Sequence, residues 1–239
     1  MKYSRTTISV AVLLLATPAF AQEADVSSLR AVVVTGTRDR LQLNEQSSTG
    51  SRLDLTGRET PATVQTITQS EIQFKGLRTA REAFAGIPGV ISGNVPGNPA
   101  AVMMRGFSGN AVSILQDGVR VATSTVVQRD TNTWHFDRIE VIKGPASVLY
   151  GEGALGGVIN KVTRKPTFNG QEFDALFSYG SFNTSTVAGG ANFQLSDTAA
   201  VRIDVSQLQS DSLYNVDNNA TRSRGVTASA LLKPSSDLS

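Results

Sequence analysis

Asp137-Arg138-Ile139-Glu140-Val141-Ile142-Lys143-Gly144-Pro145-Ala146-Ser147-Val148-Leu149-Tyr150-Gly151 changes character at its middle. Up to Lys143, charged and apolar residues alternate with the period of a half-buried strand. Gly144-Pro145 then opens a single helical turn, Ala146 to Tyr150, with proline suited to a first helical position. A glycine cluster from Gly151 to Gly157 leads into a second strand, Val158-Ile159-Asn160-Lys161-Val162-Thr163. Upstream, Ser113-Ile114-Leu115 and Val119-Arg120-Val121 flank Asp117-Gly118, a hairpin signal because both turn residues tolerate positive φ.

Further toward the N-terminus, Val102 to Arg105 reads as a short strand and Ile91 to Ala100, rich in Gly, Asn and Pro, as a loop. Trp134 and His135 sit in another loop. Thr68-Gln69-Ser70-Glu71 and Thr79-Ala80-Arg81-Glu82 each match a capping box, in which hydroxyl and carboxylate satisfy each other's backbone donors. Gly76 stops the first helix, and Gly86-Ile87-Pro88-Gly89 stops the second. Ala62 to Ile67 alternates as a strand. Residues 59–166 are therefore expected to form an α+β domain of about 100 residues, a small mixed sheet with short helices.

From Glu172 the pattern shifts. Phe173, Ala175, Phe177 and Tyr179 share one face, against Glu172, Asp174 and Ser178. Val187, Gly189, Ala191, Phe193 and Leu195 face one way and Ala188, Gly190, Asn192, Gln194 and Ser196 the other. Val201, Ile203 and Val205 alternate with Arg202, Asp204 and Ser206; Val226, Ala228, Ala230 and Leu232 alternate with Thr227 and Ser229. Segments of about ten residues with this alternation mark transmembrane β-barrels. A tight turn at Ser196-Asp197-Thr198 and a long polar loop from Gln209 to Arg224 suit the two sides of such a barrel. A soluble sandwich shares the alternation.

At the other end, Lys2 and Arg5 precede an apolar run from Ile8 to Ala16, followed by Ala19-Phe20-Ala21. This is the form of a secretory signal peptide, residues 1–21, with the mature chain starting near Gln22. Residues 22–58 read as a flexible polar segment carrying one β-branched patch, Arg30 to Gly36, which as sequence alone suits either a sticky tether or an edge strand.

Composition narrows the function classes. The 239 residues carry a net charge of +2, one histidine and no cysteine. Thiolate metal sites and disulfides are excluded, and no basic run interleaved with aromatics argues for nucleic acid. Gly151-Glu152-Gly153-Ala154-Leu155-Gly156 matches the dinucleotide fingerprint formally, but a helical turn precedes it and a strand follows, the reverse of what that fold needs. A single imidazole, His135, makes a poor metal site. No cofactor, metal or enzymatic activity is expected.

The stretch from Asp137 to Gly151, continuing through Gly156-Gly157-Val158-Ile159-Asn160, closely resembles the plug signature of TonB-dependent receptors. Met104-Arg105-Gly106-Phe107, Asp117-Gly118-Val119 and Thr60-Pro61-Ala62-Thr63-Val64 resemble its shorter motifs. The resemblance runs from Val32 to the end of the chain. It implies an α+β plug followed by the first strands, about four here, of an outer-membrane β-barrel that is roughly 22-stranded when complete. It implies that Val32, Val33, Val34 and Thr35 form the TonB box, which adds as an edge strand to TonB. Arg105, Glu140 and Lys143 become candidates for ion pairs with the barrel wall, and Asn94, Asn98, Ser108, Asn110 and Thr125 for ligand-facing loop positions. The expected activity is TonB-dependent import, of a ferric siderophore by the wording of the plug, with cobalamin, other metal chelates, carbohydrates or a soluble periplasmic binding module as alternatives. Too few residues separate Gln22 from Val32 for a periplasmic signalling domain. With residues 171–239 supplying only the start of a barrel, the chain is expected to be a fragment that does not transport alone.

Overall fold

The computed structural model describes residues 44, 46–50, 55–95, 98–123, 129–146, 150–151, 153–211 and 220–233. The signal-like segment, Val32 to Thr35 and Thr125 lie outside them. In chain order the first domain runs β1 (Thr63–Thr68), α1 (Gln69–Phe74), α2 (Ala80–Ala85), β2 (Val90–Val95), β3 (Asn98–Met104), β4 (Val112–Gln116), β5 (Val119–Thr123), β6 (Phe136–Lys143) and β7 (Gly157–Thr163).

Five of these strands make one sheet, ordered β1-β6-β7-β4-β5. Only β4 and β7 pair in parallel, with Ile114 opposite Ile159. That pair is covered on both faces, as parallel strands require. On one face Ile72 of α1 and Phe84 of α2 pack over Ile139, Val141 and Ile159. On the other, Ala146 and Ala154 pack over Ile142 and Val158. At the β4–β5 turn Asp117 and Gly118 take φ of 52° and 80°, so both turn residues have the positive values that a two-residue type I′ loop demands.

The helix starts differ from each other. At α2 the box closes: Thr79 Oγ1 accepts the Glu82 N–H at 3.3 Å, and Glu82 Oε2 accepts the Thr79 N–H at 3.2 Å. At α1 only half of the expected box is found. Thr68 accepts the Glu71 N–H at 3.4 Å, while the Glu71 carboxylate turns to Lys75 at 2.5 Å. A cation one turn along outcompetes a backbone donor for the same carboxylate.

Two expectations are corrected. Ile91 to Val95 and Asn98 to Ala100 are strand, β2 pairing antiparallel with β3, with a register irregularity between Gly93 and Val95. Residues 46–50 and 55–58, assigned above to the flexible segment, pack on the domain: Gln46 bridges Thr56, the Ser47 N–H donates to Leu55 O at 3.0 Å, and Ser47 and Thr49 are buried.

A second sheet follows, the antiparallel meander β8 (Glu172–Gly180), β9 (Thr184–Gln194), β10 (Ala199–Ser210) and β11 (Thr221–Leu232). Its last two strands have 12 residues each. At about 3.3 Å per residue such a strand is about 40 Å long, and tilted by about 45° it covers about 28 Å of height, enough for an outer-membrane apolar band of about 25 Å. The long loop expected from Gln209 to Arg224 shrinks to 211–220, because β10 and β11 pair as far as Ser210 with Thr221. No described helix is long and apolar enough to cross a membrane.

Candidate functional site

The second sheet buries the opposite chemistry from the first. Along β10, Arg202, Asp204 and Ser206 are buried, whereas Ile203 and Val205 are 46 % and 47 % exposed. Phe177 of β8 and Val226 of β11 each remain 76 % exposed. The polar face is the one turned to the first domain. Its small residues let the two meet: a side chain at Gly225 would place a Cβ 2.5 Å from His135 Nε2.

The seam has three parts. A charge cluster comes first. Arg202 Nη2 contacts Asp174 Oδ2 at 2.7 Å, and Arg202 Nε contacts Asp204 Oδ2 at 2.8 Å. Arg164, just beyond β7, reaches Asp174 at 3.1 Å and Asp204 at 3.5 Å, and its guanidinium lies over the Trp134 ring at 4.5 Å. Burial and then the Arg202 charge push the Arg164 pKa down, against the pull of Asp204 and Asp174. Two arginines and two aspartates balance, which lets Arg164, Arg202 and Asp204 stay charged where they are largely buried, with Asp174 at the exposed edge.

Aromatic and imidazole contacts form the second part. Trp134 Nε1 donates to Gly189 O at 3.2 Å. His135, buried in a short 3-10 turn, pairs through Nε2 with Ser206 Oγ at 2.8 Å and through Nδ1 with Thr227 Oγ1 at 3.0 Å. Burial pushes its pKa below the ordinary value; Asp204 opposes that shift and Arg164 reinforces it. The third part is the connection between the sheets. Asn192 Oδ1 accepts the Thr167 N–H at 2.9 Å, and Asn192 Nδ2 donates to Thr167 O and Gly170 O at 3.1 and 2.9 Å.

Sequence reasoning missed this seam. Its signals were present: charged residues on the non-apolar face of β10, and the only tryptophan and histidine side by side. Neither said which surface they would meet.

The candidates for wall pairing separate. Glu140 is completely buried inside the first domain, and the expected pair to a wall is replaced by contacts within that domain. Arg138 Nε contacts Glu140 Oε1 at 2.6 Å, Ser47 Oγ and the Thr49 N–H both donate to Glu140 Oε2 at 2.9 Å, and Thr49 Oγ1 also donates to Oε2. The physical reason is that residues 46–50 cover the second face of β6, which the alternation alone left open to solvent. Burial works against the Arg138 charge, but Glu140 and Asp137 raise its pKa overall. Arg105 stands exposed at the tip of a two-residue turn, φ 51°, closed by Met104 and Phe107 hydrogen bonds of 2.9 Å in both directions. Lys143 Nζ donates to Gln65 Oε1 at 2.8 Å, and burial followed by the Arg105 charge lowers its pKa.

Of the loop candidates, Asn94 lies in β2 and Asn98 opens β3, while Ser108 and Asn110 are exposed beside a short 3-10 turn.

A family model described as the TonB-dependent receptor plug domain matches residues 56–158. The ferrioxamine B receptor of Salmonella typhimurium is 34 % identical over 116 residues, 46 % of this chain and 16 % of the relative. The ferrioxamine receptor of Yersinia enterocolitica is 29 % identical over 187 residues, 75 % of this chain and 26 % of the relative. Among solved structures, the ferric-catecholate import receptor Fiu of Escherichia coli K12, open form, superposes with a TM-score of 0.67 at 27 % identity, over 80 % of this chain and 27 % of that one. The chain thus spans about a quarter or less of the length of the relatives it matches.

Proposed function

The chain belongs to the TonB-dependent receptors, and from that we propose that a receptor containing it imports a ferric siderophore across the bacterial outer membrane. Residues 59–166 are then the plug, and β8 to β11 the first strands of the wall around it. The observation that carries this reading is the docking of the plug on the polar face of a sheet whose apolar face is left exposed. In water such a face is a liability; in lipid it is the required one.

Import against a gradient needs work, and the outer membrane has no nucleotide supply of its own. In this reading TonB captures Val32 to Thr35 by strand addition, with main-chain hydrogen bonds giving affinity. Load passed down the chain reaches the contacts of Ser47 and Thr49 with Glu140. Releasing them leaves Arg138 to hold the buried Glu140 carboxylate, so β6 loses its cover and the plug edge can open. Ligand binding on the outer face is coupled to this only if it favours the same open state. Arg105 and Lys143, like-charged neighbours, remain the cations we assign to acidic partners on the wall. Asn94, Asn98, Ser108, Asn110 and Thr125 are the positions that we assign to the ligand side.

The test is growth under iron limitation of a strain lacking its own receptors and expressing a closed-barrel receptor with this sequence. Ferrioxamine B, ferrichrome, a catecholate and cobalamin are supplied singly. One ferric siderophore should support uptake, and deleting Val32 to Thr35 should abolish uptake while ligand binding at the cell surface persists. Uptake that survives the deletion contradicts the coupling, and uptake of cobalamin alone contradicts the substrate.

A further inference from the structure

A cleft of about 160 Å³ opens on the seam between the plug and β11, lined from the plug by Asn132, Lys161 and Thr163 and from the strand by Ser223, Arg224 and Gly225, among others. Lys161 is only 9 % exposed. Its ammonium lies over Phe136, 5.7 Å from the ring centroid, and among the described residues it has no hydrogen-bond acceptor and no ion pair. Asp130 acts on it through space but is itself engaged by Arg81, at 3.1 Å to the backbone N–H and 3.5 Å to Nε.

Asn132 supplies a second unmet donor. Its Oδ1 accepts the Trp134 N–H at 2.8 Å, which fixes the amide, so the group left over is the NH2, buried and without an acceptor. The hydroxyl of Thr131, which also lines the cleft, is buried and unpartnered too. Among the described residues no acidic one lines the cleft, and Arg224 adds a second cation to it. A buried N–H donor is costly when unsatisfied, and a cation on a side chain as desolvated as Lys161 gains from a counter-charge. One anion would answer both.

We propose that this cleft is an anion-binding site, taking a small free anion of the chloride or phosphate class, with Lys161, the Asn132 amide and Arg224 as its ligands. Burial pushes the Lys161 pKa down, with Asp130 opposing, and an anion in contact acts in the same direction as Asp130. The site ties the plug to the wall through a removable ion rather than a fixed side chain. It depends on the seam geometry and not on which solute the receptor imports.

Bromide is the probe. Crystals of a closed-barrel receptor carrying this sequence, soaked in bromide, should show an anomalous peak within about 3.5 Å of Lys161 Nζ and Asn132 Nδ2. Inorganic phosphate should compete it away, and Lys161→Met should remove it. Should that variant fail to fold, Arg224→Gln alters an exposed residue and should raise the bromide concentration needed for half-occupancy about tenfold, the loss expected for one charge-assisted contact. A cleft holding only water, or a carboxylate of the wall seated against Lys161, overturns the proposal.

Discussion

The plug sheet and the strand sheet are built from the same material and bury opposite halves of it. Both alternate apolar and polar residues with period two. In the plug, Ile139, Val141 and Ile159 are fully buried and the charges flank them. In the strands, Asn192, Asp204 and Arg202 are buried and Phe177, Ile203 and Val226 face out. The alternation fixes which residues share a face. What lies beyond each face decides which one is inside, and that is a property of the surroundings: helices and water for the plug, a polar plug and lipid for the wall.

The largest expected effect is at Glu140, a carboxylate buried completely in the plug sheet. Glu140→Ala leaves half-buried Arg138 with the more exposed Asp137 in place of its buried partner and orphans the donors on Ser47 and Thr49. Loss of a buried partner of this kind costs about 3–5 kcal/mol. Denaturant unfolding should register that loss, and hydrogen exchange should show the Thr49 amide losing protection before the β7 amides. A change below about 1 kcal/mol would mean that residues 46–50 do not cover β6 in solution.

Next comes the wall. Ile203→Arg, on the exposed face of β10, should cost about 2–4 kcal/mol of folding into a bilayer. At a water-exposed position the same substitution should stay within about 0.5 kcal/mol. Reversible folding into lipid vesicles, read by tryptophan emission and barrel mobility on a gel, separates the two.

A smaller effect tests the seam. Because His135 is held neutral by burial, its folded pKa lies below the unfolded value near 6.5. The unfolded chain therefore binds the proton first. Stability is whole above about pH 6.5 and is lost as pH falls toward the lowered folded pKa. Thermal melts at decreasing pH should show this decline, and His135→Gln should flatten it. Superimposable pH profiles for the two proteins would remove His135 from the account.

Much of this fold was legible from local chemistry. Asp117-Gly118 announces its turn because few other residue pairs accept those dihedrals, and the Thr79–Glu82 box announces α2 because both partners lie within one turn. The wall strands were legible by period. Illegible were features that need a partner distant in sequence. Nothing near Glu140 says that Ser47 and Thr49, more than 90 residues earlier, will cover it. Gly-, Asn- and Pro-rich sequence from Ile91 to Ala100 reads as a loop because turn residues dominate it, yet β2 pairs with β3 there, Ile91 with Met103 and Ser92 with Val102. Of the candidate site, the family motifs pointed to the right domain. The seam of Trp134, His135 and Arg164 appears only once the wall is placed against the plug.

The central claim is that a wall, apolar outward, stands between lipid and the plug. The chain has no cysteine, so single substitutions Val226→Cys, Thr227→Cys, Ala228→Cys and Ser229→Cys along β11 can each carry a spin label in the bilayer-reconstituted receptor. Labels at 226 and 228 should relax readily with oxygen and poorly with a water-soluble nickel complex, and labels at 227 and 229 should not share that lipid signature. Nickel access equal at all four positions, or greatest at 226 and 228, would put water where this account puts lipid.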